Sequence, residues 1–223
     1  MIKRNILDLL KIIIACSLII FSSMTAYAVP KETGAVKTVE KTRALKAYNK
    51  KLKKSKVVVL PKGKWFSKSY DSRLIKYKNT KSSKVRFALA YINNDLIPEL
   101  ILKDPRFGYA VFTYKKGKII RLKYGNSYDQ PKSYYTGKGI FLENASSEGT
   151  PHTLIYYKMT RAKMKKIMDI FYIEAEPTYY EIGKKRVSEL KFTEKLNDYK
   201  GEGVLEKIVF RKNTKANRKK YMR

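Results

Sequence analysis

Lys46, Lys50, Lys51, Lys53 and Lys54 crowd one short stretch of this 223-residue chain, and Arg211, Lys212, Lys215, Arg218, Lys219 and Lys220 crowd its C-terminal end. Ammonium and guanidinium groups at that density attract phosphates, sulfates and carboxylates held on a polymer or a surface, because many weak contacts add. The formal charge is +31 at pH 7, from 50 Lys and Arg against 19 Asp and Glu. The excess is uneven: Lys41 to Lys81 holds 15 basic residues and the single acid Asp71, while Arg211 to Arg223 holds 7 and no acid. Lysine supplies point charges suited to diffuse phosphate attraction, whereas base-edge readout favours the planar fork of arginine. Sequence-specific nucleic-acid binding is therefore not expected. The 18 tyrosines could stack on bases or sugars, but they alternate along apparent strands and read as ordinary sheet residues.

Catalytic chemistry finds little footing. His152 is the only histidine and lies beside Pro151, and one histidine without cysteine or carboxylate helpers at ligand spacing builds no zinc site or triad. The neighbouring carboxylates, Glu143 with Glu148 and Glu174 with Glu176, read as strand-edge or loop charges rather than the acid pair of a glycosidase. Lys115 to Lys118 contains one glycine and lacks the spacing of a phosphate-cradling loop. The expectation is a protein that is not an enzyme; a wall-acting hydrolase is the alternative and would need two carboxylates converging in one cleft.

The first 28 residues have the parts of a secretory signal peptide: basic Lys3 and Arg4, an apolar run from Ile12 to Phe21, and the small-residue Ala26-Tyr27-Ala28. That run is roughly half of what a bilayer-spanning helix needs, so no permanent membrane span is expected after cleavage. Ile13-Ile14-Ala15-Cys16 loosely fits a lipidation signal, but the greasy Ser17 to Phe21 and the interrupting Asp8 and Lys11 favour cleavage after Ala28. Cys16 is the single cysteine, so the remainder would form no disulfide. Composition suggests an AT-rich Gram-positive source and a secreted or wall-associated destination.

These residues need elements to hold them. Residues 29–38 read as a flexible lead-in. Ala44, Leu45, Tyr48 and Leu52 then share one face of an amphipathic helix over Val39–Lys54, with lysines covering the other. Val57 to Leu60 is a short apolar run, and Lys62 to Ser83 reads as irregular, with Trp65 a core anchor. From Lys84 the period changes to two. Strands are expected at Val85–Tyr91, Leu100–Lys103, Tyr109–Tyr114, Ile119–Tyr124, Gly139–Glu143, Leu154–Met159 and Lys165–Ile173, with a tight hairpin at Lys115–Lys118. Ser188 caps a second helix ending near Gly201, Val204–Phe210 forms a last strand, and Asn213 or Thr214 caps a short basic helix. The expected fold is α+β: an antiparallel meander of seven to eight strands covered on one face by two helices, with the domain spanning 39–211 and a basic tail at 212–223.

One segment, Ala90-Tyr91-Ile92-Asn93-Asn94-Asp95-Leu96-Ile97-Pro98-Glu99-Leu100, resembles the aspartate-rich loop ending in Pro-Glu-Leu of uncharacterised exported proteins and lipoproteins of clostridia and their relatives. The preceding helix, the tyrosine-rich hairpins and Asn213-Thr214 near Asn217-Arg218 are similar too. The resemblance implies export and this layout, with no activity to inherit. In the family pattern the oxygens converge on a hard cation such as calcium and a glycine makes the sharp turn. Here Asn93, Asp95 and Glu99 match ligand-type positions, Tyr91 stands where the first aspartate would be, and Leu96 replaces the glycine. Two carboxylates and one amide within so positive a chain should hold calcium weakly; the residues favour a turn at Asn93, Asn94 and Asp95, with Pro98 launching the next strand. The functional expectation is electrostatic association with anionic wall polymers or lipid head groups; a calcium-responsive interaction protein is a further alternative.

Overall fold

Ala44, Tyr48 and Leu52 are fully buried and Leu45 nearly so, which makes the first helix an integral layer of the fold rather than an appendage. The computed structural model describes residues 34–57, 80–104, 108–126, 128–145, 152–160, 163–172 and 177–223. The chain divides into two units, Met1–Gly34 and Ala35–Arg223, and the second contains nearly all of these residues. The expected signal peptide, Cys16, Trp65, Glu148, Glu174 and Glu176 lie outside the described residues.

Helix α1 spans Gly34–Lys53. The expected lead-in is thus helical from Gly34 onward, since Ala35 to Val39 contains no residue that breaks a helix. Two short strands, β1 (Lys56–Val57) and β2 (Thr80–Lys81), pair with each other. Then come β3 (Arg86–Ala90), β4 (Glu99–Asp104), β5 (Gly108–Lys115), β6 (Lys118–Gly125), β7 (Gln130–Tyr135), β8 (Ile140–Ala145), β9 (His152–Met159) and β10 (Met164–Tyr172). After the hairpin β11 (Tyr179–Ile182) and β12 (Lys185–Val187) follow α2 (Glu189–Lys200), β13 (Leu205–Lys207), β14 (Arg211–Lys212) and α3 (Lys215–Tyr221). The α+β class and the helices near each end agree with expectation.

The antiparallel meander is present too, but its strands divide between two sheets. The strands form a five-stranded sheet in the order β14-β3-β4-β5-β6 and a seven-stranded sheet in the order β12-β11-β10-β9-β8-β7-β13, both antiparallel. One core cluster joins α1 to Phe87, Leu100, Leu102 and Phe112 on one face of the five-stranded sheet. A second joins its other face, through Ala88, Ile101 and Val111, to Tyr134 and Phe141 of the seven-stranded sheet. A third packs Phe192 of α2 on the far face of that sheet, against Ile140, Tyr156 and Met168. The layers run helix, sheet, sheet, helix, so the two helices cover different sheets instead of one common face.

The chain leaves the first sheet at the β6–β7 connection. There the Asn126 N–H donates to Asp129 Oδ2 at 2.8 Å and the Tyr128 N–H to Asn126 Oδ1 at 2.8 Å. Gly125 precedes this turn because a Cβ there would lie 2.2 Å from the Tyr109 ring. The expected hairpin at Lys115–Lys118 is present, with Lys116 and Gly117 both at positive φ, as the twist of the flanking strands favours.

The expected last strand, Val204–Phe210, forms only over Leu205–Lys207, and a further short strand follows it. β13 pairs with β7, Ile208 and Phe210 enter the inter-sheet cluster, and β14 pairs with β3. The chain therefore laces the two sheets together. The residues after it are no free tail: Asn213 and Met222 are buried.

Candidate functional site

The cationic face is built on α1. With the buried stripe turned to the sheet, Lys46, Lys50, Lys53 and Lys54 are exposed. Lys51 sits at the edge of that stripe, half-buried, its Nζ 4.5 Å from the Phe112 ring centroid. Burial lowers its pKa, and the nearby charges of Lys54 and Arg121 lower it further.

The C-terminal cations are carried to the same place. Asn213 donates from Nδ2 to the Leu52 carbonyl at 3.0 Å and to the Ser82 carbonyl at 3.0 Å. Met222 enters the cluster formed by Ala44, Leu45, Tyr48 and Leu52. These two attachments dock α3 beside the end of α1, with Thr214 capping its first turn by accepting from the Asn217 N–H. Basic residues occupy the last turn of both helices, where they also oppose the negative end of each helix dipole. Lys212, Lys215, Lys219 and Lys220 are exposed.

Arg218 and Arg211 are engaged by the protein itself. The Arg218 guanidinium donates to Asn213 Oδ1 at 2.7 Å, and that of Arg211 lies 3.9 Å from the Tyr221 ring centroid and donates to the Val209 carbonyl. The sequence placed the two basic segments at opposite ends of the domain; the contact between them was not legible there.

The loop resembling a calcium site is organised around its own backbone. Asn93 Oδ1 accepts from the Asp95 N–H at 2.9 Å, and Asp95 Oδ1 from the Ile97 N–H at 2.9 Å, giving two successive side-chain turns. Leu96, standing where the family glycine would be, adopts φ 64°, so the glycine conformation survives without the glycine. Glu99 is fully buried at the start of β4 and accepts from the Ile92 N–H at 3.1 Å and from Thr113 Oγ1 at 3.2 Å. Its pKa is pushed up to about 8, chiefly by burial and next by the like charge of Asp95, against the pull of those hydrogen bonds. Among the described residues no group of three His, Cys, Asp or Glu side chains is placed to hold a metal ion.

Between the sheets lies a polar cluster that sequence reading missed. Lys123 Nζ of β6 stands 2.9 Å from Glu143 Oε2 of β8, and Tyr157 of β9 donates to Glu143 Oε1 at 3.2 Å. The Lys123 Nζ is also 4.1 Å from the Tyr157 ring centroid. Burial pushes Glu143 up to about 8, against the hydrogen bond from Tyr157, and pushes Lys123 down to about 8, against the nearby charge of Asp129. In sequence the carboxylate near Glu143 is Glu148; its structural partner is a lysine on the other sheet. The lone signal in sequence was a charged residue within a run of apolar ones. His152 begins β9.

Comparison with family models, with curated proteins and with solved structures gave no match. Among the described residues no helix is long and apolar enough to cross a membrane. A face of exposed cations close to the ends of two helices offers multiple contacts to an anion of many charges.

Proposed function

We propose that this chain is a non-catalytic, exported protein that associates electrostatically with anionic polymers or lipid head groups of a bacterial cell envelope. The observation that carries this reading is the meeting of two cationic segments at the junction of Leu52 and Asn213. Separate basic patches each give weak, salt-screened attraction; patches held side by side by a buried amide act on one partner together. The export half of the reading rests on the basic, apolar and small-residue order of the first 28 residues.

The test is retention of the purified chain on Gram-positive cell-wall preparations over a salt gradient. Retention at low salt and release as salt rises is the expected result, with a shallower salt dependence in the variant Lys50→Glu/Lys215→Glu. Passage of the wild-type chain unretained in dilute buffer would overturn the proposal.

A further inference from the structure

We propose that the two basic segments form one continuous track for a single linear polymer of phosphate groups; this rests on the reading above that the face binds anions at all. Lys46, Lys50 and Lys53 fall at i, i+4 and i+7 of α1, on the side away from the buried Ala44, Leu45, Tyr48 and Leu52. At the rise of an α-helix their positions are spaced by roughly 4.5 to 6 Å along the axis. The stripe runs toward the C-terminal end of α1, where the hydrogen bond from Asn213 to Leu52 brings in Lys212 on one side of the asparagine and Lys215 on the other. Lys219 and Lys220 add two more exposed charges in the last turn of α3, just before Met222 packs into the cluster beneath α1. All five of Lys46, Lys50, Lys53, Lys212 and Lys215 are exposed, and among the described residues no carboxylate forms an ion pair with them.

A lipid surface fits the same cations less well. A helix that lies in a membrane interface needs its apolar face free. Here Ala44, Leu45, Tyr48 and Leu52 of α1 and Met222 after α3 are occupied in the core against the five-stranded sheet. What remains exposed along the track is a row of point charges, which suits a flexible chain of repeating anions laid lengthwise rather than a bilayer that must be entered.

The experiment measures binding of the full chain to inorganic polyphosphate of graded length, to orthophosphate, and to phosphatidylglycerol vesicles, at several salt concentrations. The expected result is a length threshold: affinity rises steeply until the polymer reaches from α1 to α3, and flattens beyond. Lys50→Glu/Lys53→Glu and Lys212→Glu/Lys215→Glu each abolish the threshold and weaken long-chain binding by roughly tenfold or more, because either change removes the linked second contact. Unchanged melting temperatures in both variants show that the fold is intact. Binding without a threshold, each variant removing an independent share, overturns the track while leaving the anion-binding reading in place. Tighter binding to vesicles than to long polyphosphate overturns it in favour of a lipid surface. Absence of binding to all three probes overturns both readings.

Discussion

The side-chain amide of Asn213 lies 3.0 Å from the carbonyl oxygen of Leu52, a residue 161 positions earlier. That carbonyl belongs to the last turn of α1, where no partner within the helix is available to it. One buried amide thus satisfies a helix end, reaches Ser82 with the same nitrogen, and receives Arg218 on its oxygen.

Asn213→Ala is expected to destabilise the fold by about 1–3 kcal/mol, since it leaves buried backbone acceptors unpaired and releases Arg218. Equilibrium denaturation measures this. The same variant should lose affinity for long polyphosphate more than for orthophosphate, because the docking of α3 is loosened while the lysines remain.

Glu99 makes stability depend on pH in a defined direction. Its folded pKa, about 8, lies above its ordinary 4.5, so it takes up a proton on folding within that interval. The stability it contributes is full below the ordinary value and is lost as pH rises through the folded one. The denaturation midpoint of Glu99→Gln should therefore fall less than that of the wild type between about pH 5 and pH 8. Parallel curves for the two proteins would contradict the assignment.

Lys123→Met leaves Glu143 between the sheets without its ammonium partner and should cost stability most above about pH 8, where that carboxyl is ionised. Adding Glu143→Gln should recover much of the loss, since the buried charge is then gone. A double-mutant cycle on the melting transition reads the coupling; additive losses would show that the pair acts as two independent groups.

Leu96→Gly should stabilise the protein by about 0.5–1 kcal/mol. Leu96 is 52% exposed and holds a left-handed backbone, so relief of that strain outweighs the small burial lost and the extra freedom of glycine in the unfolded chain. Thermal denaturation of the variant checks the sign.

Local signals were legible where local chemistry decides. The stripe Ala44, Leu45, Tyr48 and Leu52, the Ser188 cap of α2, the Lys116-Gly117 turn and the strands β3 to β6 all follow from neighbours in sequence. Strand β7 escaped because Pro131 reads as a breaker, and a bulge between Pro131 and Ser133 accommodates it. The division of the strands into two sheets escaped because β4 and β5 are buried on both faces, which erases the alternation that would mark one side as outward. The junction of Asn213 with Leu52 and the pair Lys123–Glu143 are tertiary facts; each joins residues whose own surroundings in sequence say nothing of the other.

The crossing of Ile208 to Phe210 between the two sheets sets an order on folding. β13 closes one edge of the seven-stranded sheet, β14 closes one edge of the five-stranded sheet, and Met222 then fills the layer beneath α1. All three lie after residue 204, so the chain must be made at least as far as Lys212 before both sheets have their full set of strands. Until then the growing polypeptide carries open sheet edges and an incomplete interior.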